Sequence, residues 1–121
     1  MTKKKQNRNN ENRFHYQKSS VKIIFGKNVK FGIINSPLLY SNYSYIEARS
    51  EESTIIFGNN VHINNAFSAI SEKQIKIKDN VLIGYNCCIY DSNFHDLDAN
   101  NRNNSDPSPK AVIINNNVFI G

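Results

Sequence analysis

A chain of 121 residues allows one domain with a modest core. The formal net charge of +5 resides in the first 20 residues, where six basic side chains face one acidic; nine of each sign remain elsewhere, which excludes a nucleic-acid surface on the body. No apolar run approaches the roughly 20 residues of a membrane span, and the N-terminus lacks the apolar stretch of a signal peptide, so the expected compartment is the cytoplasm.

Residues 1–20 are the first element: Lys3, Lys4, Lys5, Arg8, Arg13 and Lys18 against Glu11. Rich in Lys, Arg and Asn, this stretch is expected to be a disordered, solvated basic arm. The sharper alternative is weak attraction to an anionic membrane surface. A folded domain is expected over residues 21–121.

That domain is built from a repeat. Four segments share one pattern: Phe25-Gly26-Lys27-Asn28-Val29-Lys30-Phe31, Phe57-Gly58-Asn59-Asn60-Val61-His62-Ile63, Ile77-Lys78-Asp79-Asn80-Val81-Leu82-Ile83 and Ile114-Asn115-Asn116-Asn117-Val118-Phe119-Ile120. Each reads apolar, two small or polar residues, Asn, Val, any residue, apolar. Each also has an apolar residue two positions upstream: Ile23, Ile55, Ile75 and Val112. From Ile77 the period becomes six, with Ile77, Ile83 and Ile89 in its first position and Val81 and Cys87 in its fifth. Steps that alternate four and two satisfy neither an α-helix nor a straight strand. They fit short strands separated by turns with Asn or Gly at the corners. The 21 asparagines suit such turns, because Asn tolerates the left-handed backbone region.

Three hexads make one 18-residue triangular coil, here Ile77 to Phe94. Val61 to Val81 is 20 residues, one coil and a small corner loop at Ser71-Glu72-Lys73-Gln74. Val29 to Val61 is 32 residues, with the excess expected within Ser36–Ser53. Val81 to Val118 is 37 residues, one coil and 19 more. The predicted fold class is all-β, a parallel β-helix whose coils bury apolar residues against their neighbours. The pattern alone leaves a right-handed β-helix and a β-sandwich open, since most parallel crossovers are right-handed.

His15 falls in the arm and is expected to be solvated. His62 reads as an outward turn position. With His95 these make three histidines, but without the paired spacing of a zinc site, so no metal is expected. Cys87 is assigned to the core and Cys88 to the outside, because neighbouring strand residues face opposite ways; no disulfide framework is indicated. Tyr40, Tyr43 and Tyr45 read as irregular surface packing, with stacking on a sugar as the functional alternative.

One stretch carries a family resemblance. It runs through Val81-Leu82-Ile83-Gly84, Ile89-Tyr90-Asp91-Ser92-Asn93-Phe94-His95-Asp96-Leu97-Asp98, a polar loop with Arg102 and Pro107-Ser108-Pro109-Lys110, then Val112-Ile113-Ile114 to Val118-Phe119-Ile120-Gly121. A histidine closing a coil, a loop and a returning hexapeptide resemble the hexapeptide-repeat acyltransferases. Among these, the stretch is most similar to sugar and polysaccharide O-acetyltransferases of the galactoside and maltose type. The resemblance implies a left-handed parallel β-helix, a homotrimer and acetyl-CoA as co-substrate. It further implies a saccharide or sugar-nucleotide acceptor and His95 as the general base. Histidine suits that role because its ordinary pKa lies near neutral pH. By the same resemblance Asn64 contacts the acceptor, and Asp91, Asn93 and Asp98 orient His95 or hold the sugar.

The chain departs from the family in carrying Phe119 where Trp is common. It also ends at Gly121, mid-repeat, where relatives continue with coils that build much of the coenzyme A groove. The expectation is thus a C-terminally shortened acetyltransferase, with a non-catalytic remnant or binding module as the alternative.

Overall fold

In the computed structural model the described residues are 3–6, 14–18 and 22–121. They form an all-β structure with three sheets that are parallel except for one antiparallel pair near the N-terminus. In chain order the strands are β1 (Lys3–Gln6), β2 (Phe14–Lys18), β3 (Ile23–Phe25), β4 (Lys30–Phe31), β5 (Ser44–Ala48), β6 (Thr54–Phe57) and β7 (His62–Ile63). There follow β8 (Ser68–Ser71), β9 (Gln74–Ile77), β10 (Leu82–Ile83), β11 (Cys88–Tyr90), β12 (Val112–Ile114) and β13 (Phe119–Ile120).

The first sheet has the order β12-β9-β6-β3, the second β13-β10-β7-β4, and the third β1-β2-β5-β8-β11. From β3 to β13 the chain visits the three sheets in unbroken rotation, and residues 91–111 are a long loop inserted at the corner between β11 of the third sheet and β12 of the first. The repeat is the strand register. Ile23, Ile55, Ile75 and Val112 pair in one row, and Phe25, Phe57, Ile77 and Ile114 in another. Phe31, Ile63, Ile83 and Ile120 form the matching row of the second sheet. Alternation decides which residues enter the core: β6, β8 and β9 each bury every second side chain.

The corners explain the asparagines. Asn28, Asn60, Asn80 and Asn117, the shared Asn of the four segments, have φ of 60°, 57°, 58° and 61°. All four occupy the left-handed region that Asn enters more readily than other non-glycine residues. Their side chains form a ladder, Asn28 donating to Asn60 at 3.0 Å and Asn60 to Asn80 at 3.2 Å. The preceding residues form a second ladder: Asn59 accepts from the Lys27 amide, Asp79 from Asn59 and Asn116 from Asp79, all within 2.9 Å. Glycine is needed at position 26, where a Cβ would lie 2.5 Å from the Gly58 carbonyl oxygen.

The core holds Ile55, Val61, Ile75, Ile77 and Val81 with essentially no exposure. At its N-terminal end phenylalanines cluster. Phe25 stacks on Phe57 at 5.1 Å, and Phe31 and Phe67 meet Phe57 at 5.9 and 6.4 Å. The insertion between β4 and β5 is pinned from inside by buried Asn65. Its amide donates to the carbonyls of Ile33 and Pro37, and its oxygen accepts from the Ile33 amide.

Two expectations need correction. The arm assigned to disorder carries β1 and β2, and β2 joins β5 in parallel; residues 1–2, 7–13 and 19–21 lie outside the described residues. The excess expected within Ser36–Ser53 lies on either side of β5, which runs through that span. Its inward residues include small Ser44 and Ala48, which give no apolar signature. The corner expected over Ser71–Gln74 shrinks to Glu72 and Lys73, since β8 ends at Ser71 and β9 begins at Gln74.

Candidate functional site

His95 stands where the chain leaves the third sheet after β11, on the outgoing leg of the long loop that returns at β12. Several bonds fix that leg. The Asp106 carboxylate accepts from the amides of Asn93 and Ser108 at 2.8 Å each, joining outgoing and returning legs. These two amides, helped by the Ser92 hydroxyl, hold the Asp106 carboxyl below its usual pKa. The Ser92 hydroxyl donates to Glu72 at 2.5 Å and accepts from the Phe94 amide. Below the loop, the Lys110 amide donates to the Asp91 carbonyl at 2.9 Å, closing the loop's base.

The residue before His95 is wedged. Phe94 adopts φ 64°, its ring meets Tyr90 edge-on at 5.6 Å, and the Arg49 guanidinium lies 4.8 Å above it. Arg49 is itself held by Glu47 through bonds of 3.1 Å from Nε and from the terminal nitrogen. Burial opposes ionisation of Glu47, but the donors from Arg49 and Tyr45 outweigh it and lower its pKa.

His95 is exposed, and its Nδ1 lies 3.0 Å from the Arg102 carbonyl oxygen. A carbonyl only accepts, so in the neutral imidazole Nδ1 carries the hydrogen and Nε2 keeps its lone pair. Nε2 has no hydrogen-bond partner among the described residues. Arg102 is positioned by its own guanidinium, which donates to the Leu97 carbonyl at 2.9 Å.

The other expected site residues take different places. Asp91 is buried and its carboxylate is already engaged by the Ser71 hydroxyl and the Glu72 and Lys73 amides, between 2.7 and 2.9 Å. It locks a corner instead of orienting His95. Asp98 caps the short 3-10 turn Ala99–Asn101, accepting from the Asn100 amide at 3.0 Å. Asn93 is exposed and lies two residues from His95; both its backbone amide and its side chain face the Asp106 carboxylate. Asn64 follows β7 at the corner between the second and third sheets, donating to the Ser36 hydroxyl at 2.9 Å. His95 lies at the opposite end of the third sheet, so one chain does not bring these two together.

His62 lies on β7, not in a turn; its side chain is half-buried and its Nε2 is enclosed without a partner. Cys87 packs partly against the core while Cys88 is exposed. Tyr40 and Tyr43 are exposed, whereas Tyr45 lies in β5 and donates to Glu47 at 2.7 Å. Among the described residues no group of His, Cys, Asp and Glu side chains is arranged to hold a metal, and no helix is long and apolar enough to cross a membrane. Residues that the sequence did not single out for the site are Arg49, Phe94, Asp106 and the Arg102 carbonyl. Only Asp106 has a local signal: Asp-Pro-Ser is the pattern of a side chain that bonds the backbone two residues on. No protein-family model, no curated protein and no solved structure matches the chain.

Proposed function

We propose that the chain is an O-acetyltransferase on a left-handed parallel β-helix of hexapeptide repeats, moving an acetyl group from acetyl-CoA to a saccharide hydroxyl. The rotation of strands through three parallel sheets and the left-handed asparagine corners support the fold reading. The observation that carries the chemistry is the contact between His95 Nδ1 and the Arg102 carbonyl. It selects the tautomer whose Nε2 is a ready base.

In this reading Nε2 takes the proton of the acceptor hydroxyl while that oxygen attacks the thioester carbonyl. The tetrahedral intermediate then collapses, the carbon–sulfur bond breaks, and the imidazolium returns the proton to the departing thiolate. Arg102 holds the ring through its carbonyl, and Asp106 holds the loop that carries both. A homotrimer, in which a neighbouring copy brings Asn64 to His95, is part of the same proposal. It accounts for two site residues standing at opposite ends of one sheet.

The test is thiol release from acetyl-CoA with a panel of sugars and nucleotide sugars. His95→Ala is expected to slow transfer by about 10²–10⁴-fold, the usual worth of a general base, with an unchanged circular dichroism spectrum. Turnover equal to that of the unmodified protein would remove His95 from the mechanism.

A further inference from the structure

At Asn93, two residues before His95, the two legs of the long loop line an open groove of about 380 Å³. That size lies within the roughly 300–1,000 Å³ of small-molecule sites. Tyr90 and Val112 form its walls, and Asn93, Asp106, Ser108 and Lys110 supply its polar groups. The Ser108 hydroxyl and the Lys110 ammonium have no hydrogen-bond partner among the described residues, although their backbones are fixed, while the Asn93 side chain leans on Asp106. The Asn93 and Ser108 amides are tied to Asp106, and the Lys110 amide to Asp91. Pro107 and Pro109 flank Ser108, and their fixed φ stiffens the returning leg. Two unpaired polar side chains, those of Ser108 and Lys110, therefore face a groove whose frame is already made.

Charge narrows the ligand. The Asp91 carboxylate is turned into its corner, so the lining offers the Asp106 carboxylate against the single cation Lys110. A phosphate or pyrophosphate gains no net attraction from that balanced pair. A neutral polyol meets complementary chemistry: donors from Ser108 and Lys110, an acceptor in the Asp106 carboxylate, whose Oδ1 accepts from the Ser108 amide, and an aromatic wall in Tyr90.

We infer that the cleft between the legs of the long loop binds the neutral sugar ring of the acceptor, with Lys110 and Ser108 as its principal contacts. This rests on the acetyltransferase reading, because Asn93, at the mouth, is two residues from His95. Binding and transfer are nevertheless separable by experiment. Saturation-transfer NMR with a panel of methyl glycosides is to be run on the unmodified protein, on His95→Ala and on the double variant Lys110→Ala/Ser108→Ala. Circular dichroism melting checks the fold of each, and Lys110→Arg serves as a conservative variant.

The unmodified protein and His95→Ala are expected to bind at least one glycoside alike. The double variant is expected to lose at least tenfold in affinity with its melting temperature kept, and Lys110→Arg to retain most binding. Absence of glycoside binding, or binding unchanged in the double variant, overturns the assignment. Glycoside binding that fails only in the double variant, without acetyl transfer by any form, leaves the cleft standing and removes the enzyme reading. Transfer in the unmodified protein with unchanged KM in the double variant does the reverse.

Discussion

Replacing Asn60 by alanine and by glycine separates what its backbone contributes from what its side chain contributes. Asn60 has φ 57°, sits at the middle of the asparagine ladder, accepts from Asn28 at 3.0 Å and donates to Asn80 at 3.2 Å. Its amide also donates to the Lys27 carbonyl at 2.8 Å, a bond either replacement keeps. Both replacements lose the two exposed ladder bonds, about 0.5 kcal/mol each at the low end of the usual range. Alanine adds the steric cost of a Cβ in the left-handed region, about 1 kcal/mol beyond what asparagine already bears. Glycine has no such strain, although its freer unfolded chain offsets part of the advantage. Asn60→Ala is thus expected to cost about 2 kcal/mol and Asn60→Gly about 1 kcal/mol. At roughly 4 °C per kcal/mol for a chain of this size, the midpoints fall by about 8 and 4 °C. Thermal melts followed by circular dichroism read the shifts, and urea titrations with an unchanged slope confirm that only stability moved. An alanine variant as stable as the glycine variant would refute the assignment of these corners to backbone conformation.

Two further perturbations probe other parts of the molecule. Phe57→Ala removes the ring on which Phe25 stacks and which Phe31 and Phe67 meet edgewise; with 1% exposure it leaves an unfilled space, and the expected loss is about 3–5 kcal/mol, read from urea unfolding. For Asp106 the folded-state pKa is depressed below its ordinary 3.8. Its stabilising bonds are therefore complete above that pH and lost as pH falls through the lower folded value. Amide hydrogen exchange at Asn93 and Ser108 is expected to accelerate on acidification beyond its intrinsic trend. In Asp106→Ala, which removes both acceptor oxygens, both amides should already exchange fast near neutrality; protection kept in that variant would free the loop from Asp106.

The first and second sheets were legible because a repeat is a register written along the chain. Aligning Ile23, Ile55, Ile75 and Val112 by pattern is the same act as stacking them. The third sheet was less visible because its inward positions include Ser44, Ala48, Ala69 and Ser71, too small or polar to stand out in an apolar period. Buried Asn65 was hidden for the same reason, since its value lies in backbone groups of residues 33–37. At the site, His95 was accessible through the resemblance of its surroundings. Its bond to Arg102 was not, because a main-chain carbonyl has no residue signature. Arg49 reaches Phe94 from a strand two rows away in the third sheet, a proximity that only the stacking creates.

The base of the long loop, where the Lys110 amide meets the Asp91 carbonyl at 2.9 Å, has an evolutionary consequence. Both ends of the excursion are anchored to the scaffold at one point, so the residues between them can vary in number and kind without shifting the strands beneath. Lengthening such a closed excursion costs little, about 0.6 kcal/mol for each doubling. The loop behaves as an exchangeable cartridge: its length and side chains can be rewritten while the stack of strands is inherited unchanged.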